Sequence, residues 1–136
     1  MQFKRINDDI SVAEQISAGD LAQIKAAGFV TIVNNRPDAE VAGQPSGATI
    51  EAASKAAGLN YHFIPMGRNG VSPEMIEKTI LVLENSTGPV LCYCRTGTRS
   101  TTLWALSQAG KKPAREIIEA AAGAGYDISH LAAHLG

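Results

Sequence analysis

The stretch Val90-Leu91-Cys92-Tyr93-Cys94-Arg95-Thr96-Gly97-Thr98-Arg99-Ser100 runs from an apolar segment through a short glycine-containing loop into a helix-compatible one. Val90 to Tyr93, introduced by Gly88-Pro89, reads as a buried strand, and Arg99 to Gln108 reads as a helix closed by Gly110. A cysteine that leaves such a strand and enters a helix through a short loop stands where open α/β sheets place their ligands. Backbone N–H groups of Arg95 through Ser100 can turn inward as an anion nest, and the helix N-terminus adds partial positive charge. That field favours the thiolate of a cysteine so placed, which makes Cys94 the candidate nucleophile. Arg99, in the first turn of the helix, carries a planar fork suited to two oxygens of a tetrahedral anion. Ser100 is expected to hydrogen-bond the sulfur and help expel it as a leaving group. Gly97 permits a backbone conformation that other residues resist. Arg95, pointing outward, favours anionic substrates, and Thr96 and Thr98 complete the binding loop.

Working outward, the segments on either side repeat the alternation of strand and helix. Phe3 to Ile6 and Ile10 to Ala13 flank Asn7-Asp8-Asp9 as a possible hairpin. Ser17 and Asp20 form an S-x-x-D start for a helix from Ala18 to Ala27, closed by Gly28. Phe29 to Val33 is continuous and β-branched, as in a buried parallel strand, and Asn34-Asn35-Arg36-Pro37-Asp38 ends it as a loop. A helix is predicted from about Thr49 to Ala57, then a strand over Tyr61 to Ile64. Ser72-Pro73-Glu74 is a strong helix start, and Ile76, Ile80 and Leu83 give the helix that follows one apolar face. Pro113 opens a helix to about Ala122, and a last short one follows Asp127. This order predicts parallel crossover units, hence a three-layer α/β fold with a mostly parallel central sheet flanked by helices.

The 136 residues suit one domain spanning 1–136 with a single core. Hydrophobic residues make up 45%, charged residues 18%, and the formal net charge is -1, so no bulk attraction to nucleic acid or to an anionic membrane is expected. No apolar run approaches the roughly 20 residues of a membrane-spanning helix. Met1 to Asp9 has mixed charge and no apolar core, so it does not read as a secretory signal, and the expectation is a cytoplasmic protein. The only cysteines, Cys92 and Cys94, are poorly placed for a mutual disulfide, which favours a catalytic or redox thiol over a stapled fold. Cys92, inside the strand, is assigned to the core.

The remaining candidates have bland readings beside functional ones. Arg68 is either a solvated loop cation or a second anion contact. Arg36 and Asp38 can pair with each other to hold a turn. His62 is expected to be a structural histidine within its strand. His130 and His134 have a spacing that can bind metal but lack an accompanying carboxylate or cysteine, so no metal site is assigned. Trp104 is expected in the core.

Tyr93 to Ser100, together with Asn34-Asn35-Arg36-Pro37-Asp38 and Gln108-Ala109-Gly110, resembles the phosphatase-like domain family also found fused to beta-lactamase-like hydrolases. The resemblance covers nearly the whole chain and implies a fold like that of the dual-specificity protein tyrosine phosphatases. Members of the family are described both as phosphatases and as sulfur transferases. Tyrosine and dual-specificity phosphatases place five residues between cysteine and arginine, usually with histidine before the cysteine. This chain has four, Arg95 to Thr98, and Tyr93 before the cysteine. In length and composition the loop is similar to that of rhodaneses, which carry a persulfide. The leaving-group aspartate of the phosphatases also has no counterpart in Pro65-Met66-Gly67-Arg68-Asn69-Gly70. General acids contribute about 10² to 10⁴ in rate. Asp38 can substitute only if its loop folds over the site.

The expectation from these departures is a sulfurtransferase that carries a persulfide on Cys94, loaded from thiosulfate or a low-molecular-weight persulfide, with no cofactor. The alternative is a phosphatase working through a Cys94 thiophosphate intermediate. A third reading is a loop that only binds anions or senses redox state. In every case the partner is a small anionic molecule, and association with a sulfur-oxidising or beta-lactamase-like hydrolase protein follows from the family resemblance alone.

Overall fold

The computed structural model describes residues 1–136. Five strands, β1 (Lys4–Arg5), β2 (Ile10–Ala13), β3 (Thr31–Asn34), β4 (Asn60–Phe63) and β5 (Val90–Tyr93), form one sheet in the order β1-β2-β5-β3-β4. β1 is antiparallel to β2, as the N-terminal hairpin expectation required, and every other pairing is parallel. β5 lies between β2 and β3, with Cys92 level with Val12 on one side and Val33 on the other.

The helices are α1 (Leu21–Ala26), α2 (Gly47–Ala56), α3 (Pro73–Asn85), α4 (Thr98–Ser107), α5 (Ala114–Gly123) and α6 (Ala132–Leu135), with single 3₁₀ turns leading into α1 and α6. The chain moves across the sheet one way from β2 to β3 to β4, and then returns to β5. Right-handed crossovers therefore put the return helix α3 on the face opposite α1 and α2. Two hydrophobic clusters record this. Leu21, Ile24, Ile50 and Phe29 pack with Ile32, Leu91 and Tyr93 on one face. Val82, Leu103, Trp104, Ile117 and Ile128 pack with Val12, Val33, Val90 and Cys92 on the other. Alternation along β5 thus sends Tyr93 to one layer and Cys92 to the other. The three-layer, mostly parallel architecture is the one expected.

Several boundaries differ from expectation for local reasons. α2 starts two residues before Thr49, because the Ser46 hydroxyl accepts the Thr49 N–H at 3.2 Å. The Ser17 turn is 3₁₀ before it becomes α-helical; Asp20 accepts the Ser17 N–H at 2.8 Å, the acidic half of a capping box. β4 runs from Asn60 to Phe63, one residue earlier than expected, and is a largely exposed edge strand. The inner face of α3 is formed by Thr79 and Val82 with Ile76 and Leu83 beside them, a rotation from the predicted stripe that leaves out Ile80. Thr79 is tolerated there because its hydroxyl donates to the Met75 carbonyl at 2.8 Å. No helix is long and apolar enough to cross a membrane.

Trp104 is 2% exposed at the centre of the larger cluster, as expected of a packing residue. Trp104→Ala is expected to destabilise the fold by about 3–5 kcal/mol, measured as a fall in the denaturation midpoint without a change in m.

Candidate active site

The C-terminal ends of four parallel strands deliver Gln15, Asn35 with Arg36, Met66 and Cys94 to one edge of the sheet. Cys94 is the first residue after β5. It is fully buried, and its N–H donates to the Ala13 carbonyl at 3.4 Å. The chain then reverses through Gly97, whose φ of 90 is left-handed, and α4 begins at the next residue. This turn brings the Gly97 N–H to 3.0 Å from the Cys94 sulfur. The N–H groups of Arg95, Thr96, Thr98, Arg99 and Ser100 make no hydrogen bond within the chain. They are the open donors of an anion nest at a helix N-terminus.

The loop is braced from the C-terminal segment. The Tyr126 hydroxyl donates to the Thr96 carbonyl at 2.8 Å, and Lys4 Nζ lies 5.1 Å from the centre of the Tyr126 ring. A Cβ on Gly97 would stand 2.1 Å from the Tyr126 oxygen, so both the sign of φ and the space exclude any other residue there.

Arg99 is held by one edge of its guanidinium. Nη1 donates to Glu40 Oε2 at 2.7 Å and to the Met66 carbonyl at 2.9 Å, while Nη2 donates to Glu40 Oε1 at 2.8 Å. Of the five N–H donors three are thereby used, leaving Nε and one Nη2 hydrogen on the other edge for a bidentate anion. Glu40 also accepts from Arg36 Nε at 2.9 Å, and Arg36 is itself 4% exposed with Nη1 on Gln15 Oε1 at 3.0 Å. The hydrogen bond from Arg99, seconded by that from Arg36, holds the Glu40 carboxyl down at about 2. Arg99 in turn is held above its ordinary value, first by Glu40 and also by Cys94. Ala39, between the two acids of this segment, has φ 59. A non-glycine residue there stores backbone strain of about 1–2 kcal/mol.

Three expectations are corrected. Arg36 pairs with Glu40, not with Asp38, because Asp38 Oδ1 accepts the Gly47 N–H at 2.6 Å at the start of α2. The Ser100 hydroxyl is not on the sulfur; it donates to Asn35 Oδ1 at 2.8 Å, and Asn35 Nδ2 donates to the Ile64 carbonyl at 2.9 Å, tying α4 to two strand ends. His62, expected to be a satisfied structural histidine, is exposed on the edge strand.

The other candidates are placed as follows. Cys92 is buried in the core with its thiol pushed up to about 12 by burial, and both cysteines are free. His130 and His134 are exposed on the terminal turn and helix. Arg68, Arg95 and Arg99 line one basin of about 500 Å³ with Pro37, Asp38 and Glu40. The loop after β3 does therefore reach the site.

Glu40, Gln15 and Tyr126 are the participants that the sequence did not disclose. Glu40 lies in an irregular Gly/Pro/Ser stretch with no periodicity, and Tyr126 is 30 positions from its partner Thr96.

Residues 2–111 match the family described as the phosphatase-like domain of beta-lactamase hydrolase-like proteins. The chain belongs to this family. A beta-lactamase hydrolase-like protein of Agrobacterium fabrum is 36% identical over 109 residues, which are 80% of this chain and 25% of that protein. This chain thus spans about a quarter of the length of that relative. The crystal structure of a candidate phosphatase from Neisseria meningitidis superposes with a TM-score of 0.83 at 32% identity, covering 96% of this chain and 94% of that one. Tk-PTP in its active form superposes with a TM-score of 0.74 over 98% of this chain and 92% of its own, at 16% identity, a likeness of fold. The chain is a phosphatase-like domain with the tyrosine-phosphatase-like fold that its sequence resemblance implied.

Two outcomes follow from this geometry. Gly97→Ala is expected to lose more than about 1–2 kcal/mol, since it forces a left-handed alanine and displaces Tyr126, measured by chemical denaturation. Glu40 has a lower carboxyl pKa folded than unfolded, so its network stabilises the native state above about 4.5 and ceases to do so as pH falls toward about 2. Glu40→Gln should therefore melt below the wild type at pH 7, and the gap should close with acidification through that window.

Proposed function

We propose that this domain is a phosphomonoesterase in which the Cys94 thiolate displaces the alcohol of a phosphate monoester. Sulfur attacks phosphorus as the P–O bond to the leaving group breaks. The open amides and the free edge of Arg99 hold the three non-bridging oxygens, and water then hydrolyses the thiophosphate to regenerate Cys94 and release phosphate. The observation that carries this reading is the sulfur at 3.0 Å from the Gly97 N–H, beneath unpaired helix-terminal amides, in a chain of a phosphatase-like family. The 32% identical Neisseria structure, described as a candidate phosphatase, supports the same assignment.

The leaving alkoxide needs a proton. Glu40, held ionised between Arg36 and Arg99, cannot supply it near neutral pH. Asp38 lines the same basin without an arginine partner, and we assign it that role.

The sulfurtransferase expectation gains no support from the relatives, which favour the phosphatase alternative. One observation still speaks for it as a second reading: the loop after β4 contributes Met66, Gly67 and Arg68 but no carboxylate, and sulfur transfer from thiosulfate releases sulfite without needing an acid.

The test is hydrolysis of 4-nitrophenyl phosphate and of phenyl phosphate, with vanadate as inhibitor. Wild type is expected to turn over both and Cys94→Ser neither. Asp38→Asn should lose about 10² or more on phenyl phosphate and much less on the nitrophenyl ester, whose leaving group needs little protonation. Absence of phosphate release, with one sulfur gained by Cys94 from thiosulfate in the intact mass, would replace this reading with the second.

A further inference from the structure

Three arginines and two acids line the basin, and two of those arginines have no partner within the chain. Glu40 is shared between Arg36 and Arg99 and accepts three hydrogen bonds from them. Asp38 is bound to the Gly47 amide. Arg68 and Arg95, by contrast, line the basin, are exposed, and form no ion pair or side-chain hydrogen bond anywhere in the structure. They come from different elements, the loop after β4 and the loop after β5, and line the same basin. The chain as a whole is slightly acidic at -1, so this concentration of guanidinium is local.

A reacting phosphoryl group is already provided for. Its three non-bridging oxygens are matched by the five unpaired loop amides and by the free edge of Arg99. That leaves two arginine forks over. The basin measures about 500 Å³, within the roughly 300–1,000 Å³ of small-molecule sites and larger than one phosphate needs. Arginine presents a planar fork rather than a point charge, which suits it to a second phosphate or carboxylate.

From the two free guanidinium groups beside an already complete phosphoryl cradle, we infer that the substrate is a phosphomonoester bearing a second anionic group, held at the rim by Arg68 and Arg95. This rests on the phosphatase reading and specifies its substrate class. Arg95 follows the nucleophile directly and lines the same basin as Arg99. Arg68 enters the basin from the loop after β4, with Pro37 and Asp38 also in its lining.

The experiment measures binding and needs no turnover. Isothermal titration of the wild-type protein with inorganic phosphate and with methylenediphosphonate, at one ionic strength, gives the affinity ratio directly. A second charge-assisted contact at the rim should make the bisphosphonate about tenfold tighter. In the Arg68→Gln/Arg95→Gln double variant the ratio should fall to within about twofold, each single variant lying between. Equal affinities in the wild type overturn the inference, and so does a bisphosphonate preference that survives in the double variant. A folded double variant is verified by an unchanged melting profile, expected because both side chains are exposed and unpaired; if it does melt early, Arg68→Lys and Arg95→Lys serve in its place, keeping charge but losing the fork, with the same ratio as readout. Failure of the phosphatase reading is separable, since it shows as no hydrolysis of either aryl ester whatever the titrations give.

Discussion

The left-handed turn at Gly97 sets the site, because it allows the helix to start directly above the thiol that the strand has just delivered. Without it the Gly97 N–H could not reach the Cys94 sulfur at 3.0 Å, and the amides of Thr98, Arg99 and Ser100 would not face a common point. An open ring of donors is costly to hold, since nothing within the loop bonds to them. The cost is met from outside: Tyr126 fixes the Thr96 carbonyl, Ser100 is tied to Asn35, and Asn35 joins both Tyr93 and Ile64 through its backbone N–H and its side chain. Each brace comes from a different part of the chain, so the loop is rigid only when the whole sheet has formed.

That dispersal explains how much was legible in the sequence. The fold was, since strand and helix periods are local and the hydrophobic runs at Ile10, Thr31 and Val90 mark the interior strands. The nucleophile, nest and Arg99 were as well, because they lie on one continuous segment. The braces were not: Glu40 meets Arg99 across 59 positions and Asn35 meets Ser100 across 65. Arg36 and Asp38 illustrate the limit. Opposite charges two residues apart invite pairing, yet the backbone at Ala39 turns so that Glu40 takes the arginine and Asp38 caps α2. Ser100 misled in the same way, its nearness in sequence to the thiol being outweighed by a buried amide needing its proton.

The basin assigns different work to its two acids by environment alone. Two arginines stabilise the charge of Glu40 and keep it ionised, so it acts as a fixed brace that turns the unused edge of Arg99 outward from the pair. An arginine oriented in this way loses little side-chain entropy when an anion arrives, because its rotamer is already set by three hydrogen bonds. Removing Glu40 would free the fork, but a free fork has to be ordered again by the ligand.

The shorter loop sharpens this division. With four residues between Cys94 and Arg99 the loop is one residue shorter than the five-residue loops of tyrosine phosphatases. A shorter loop encloses less of the substrate, so more of the discrimination between substrates must come from groups outside it. In this chain the groups available for that are the guanidinium ions of Arg68 and Arg95 and the carboxylate of Asp38, which line the basin. The nucleophile and its amides are therefore held in a loop locked by the core, while the side chains of Arg68 and Arg95 brace nothing else in the fold.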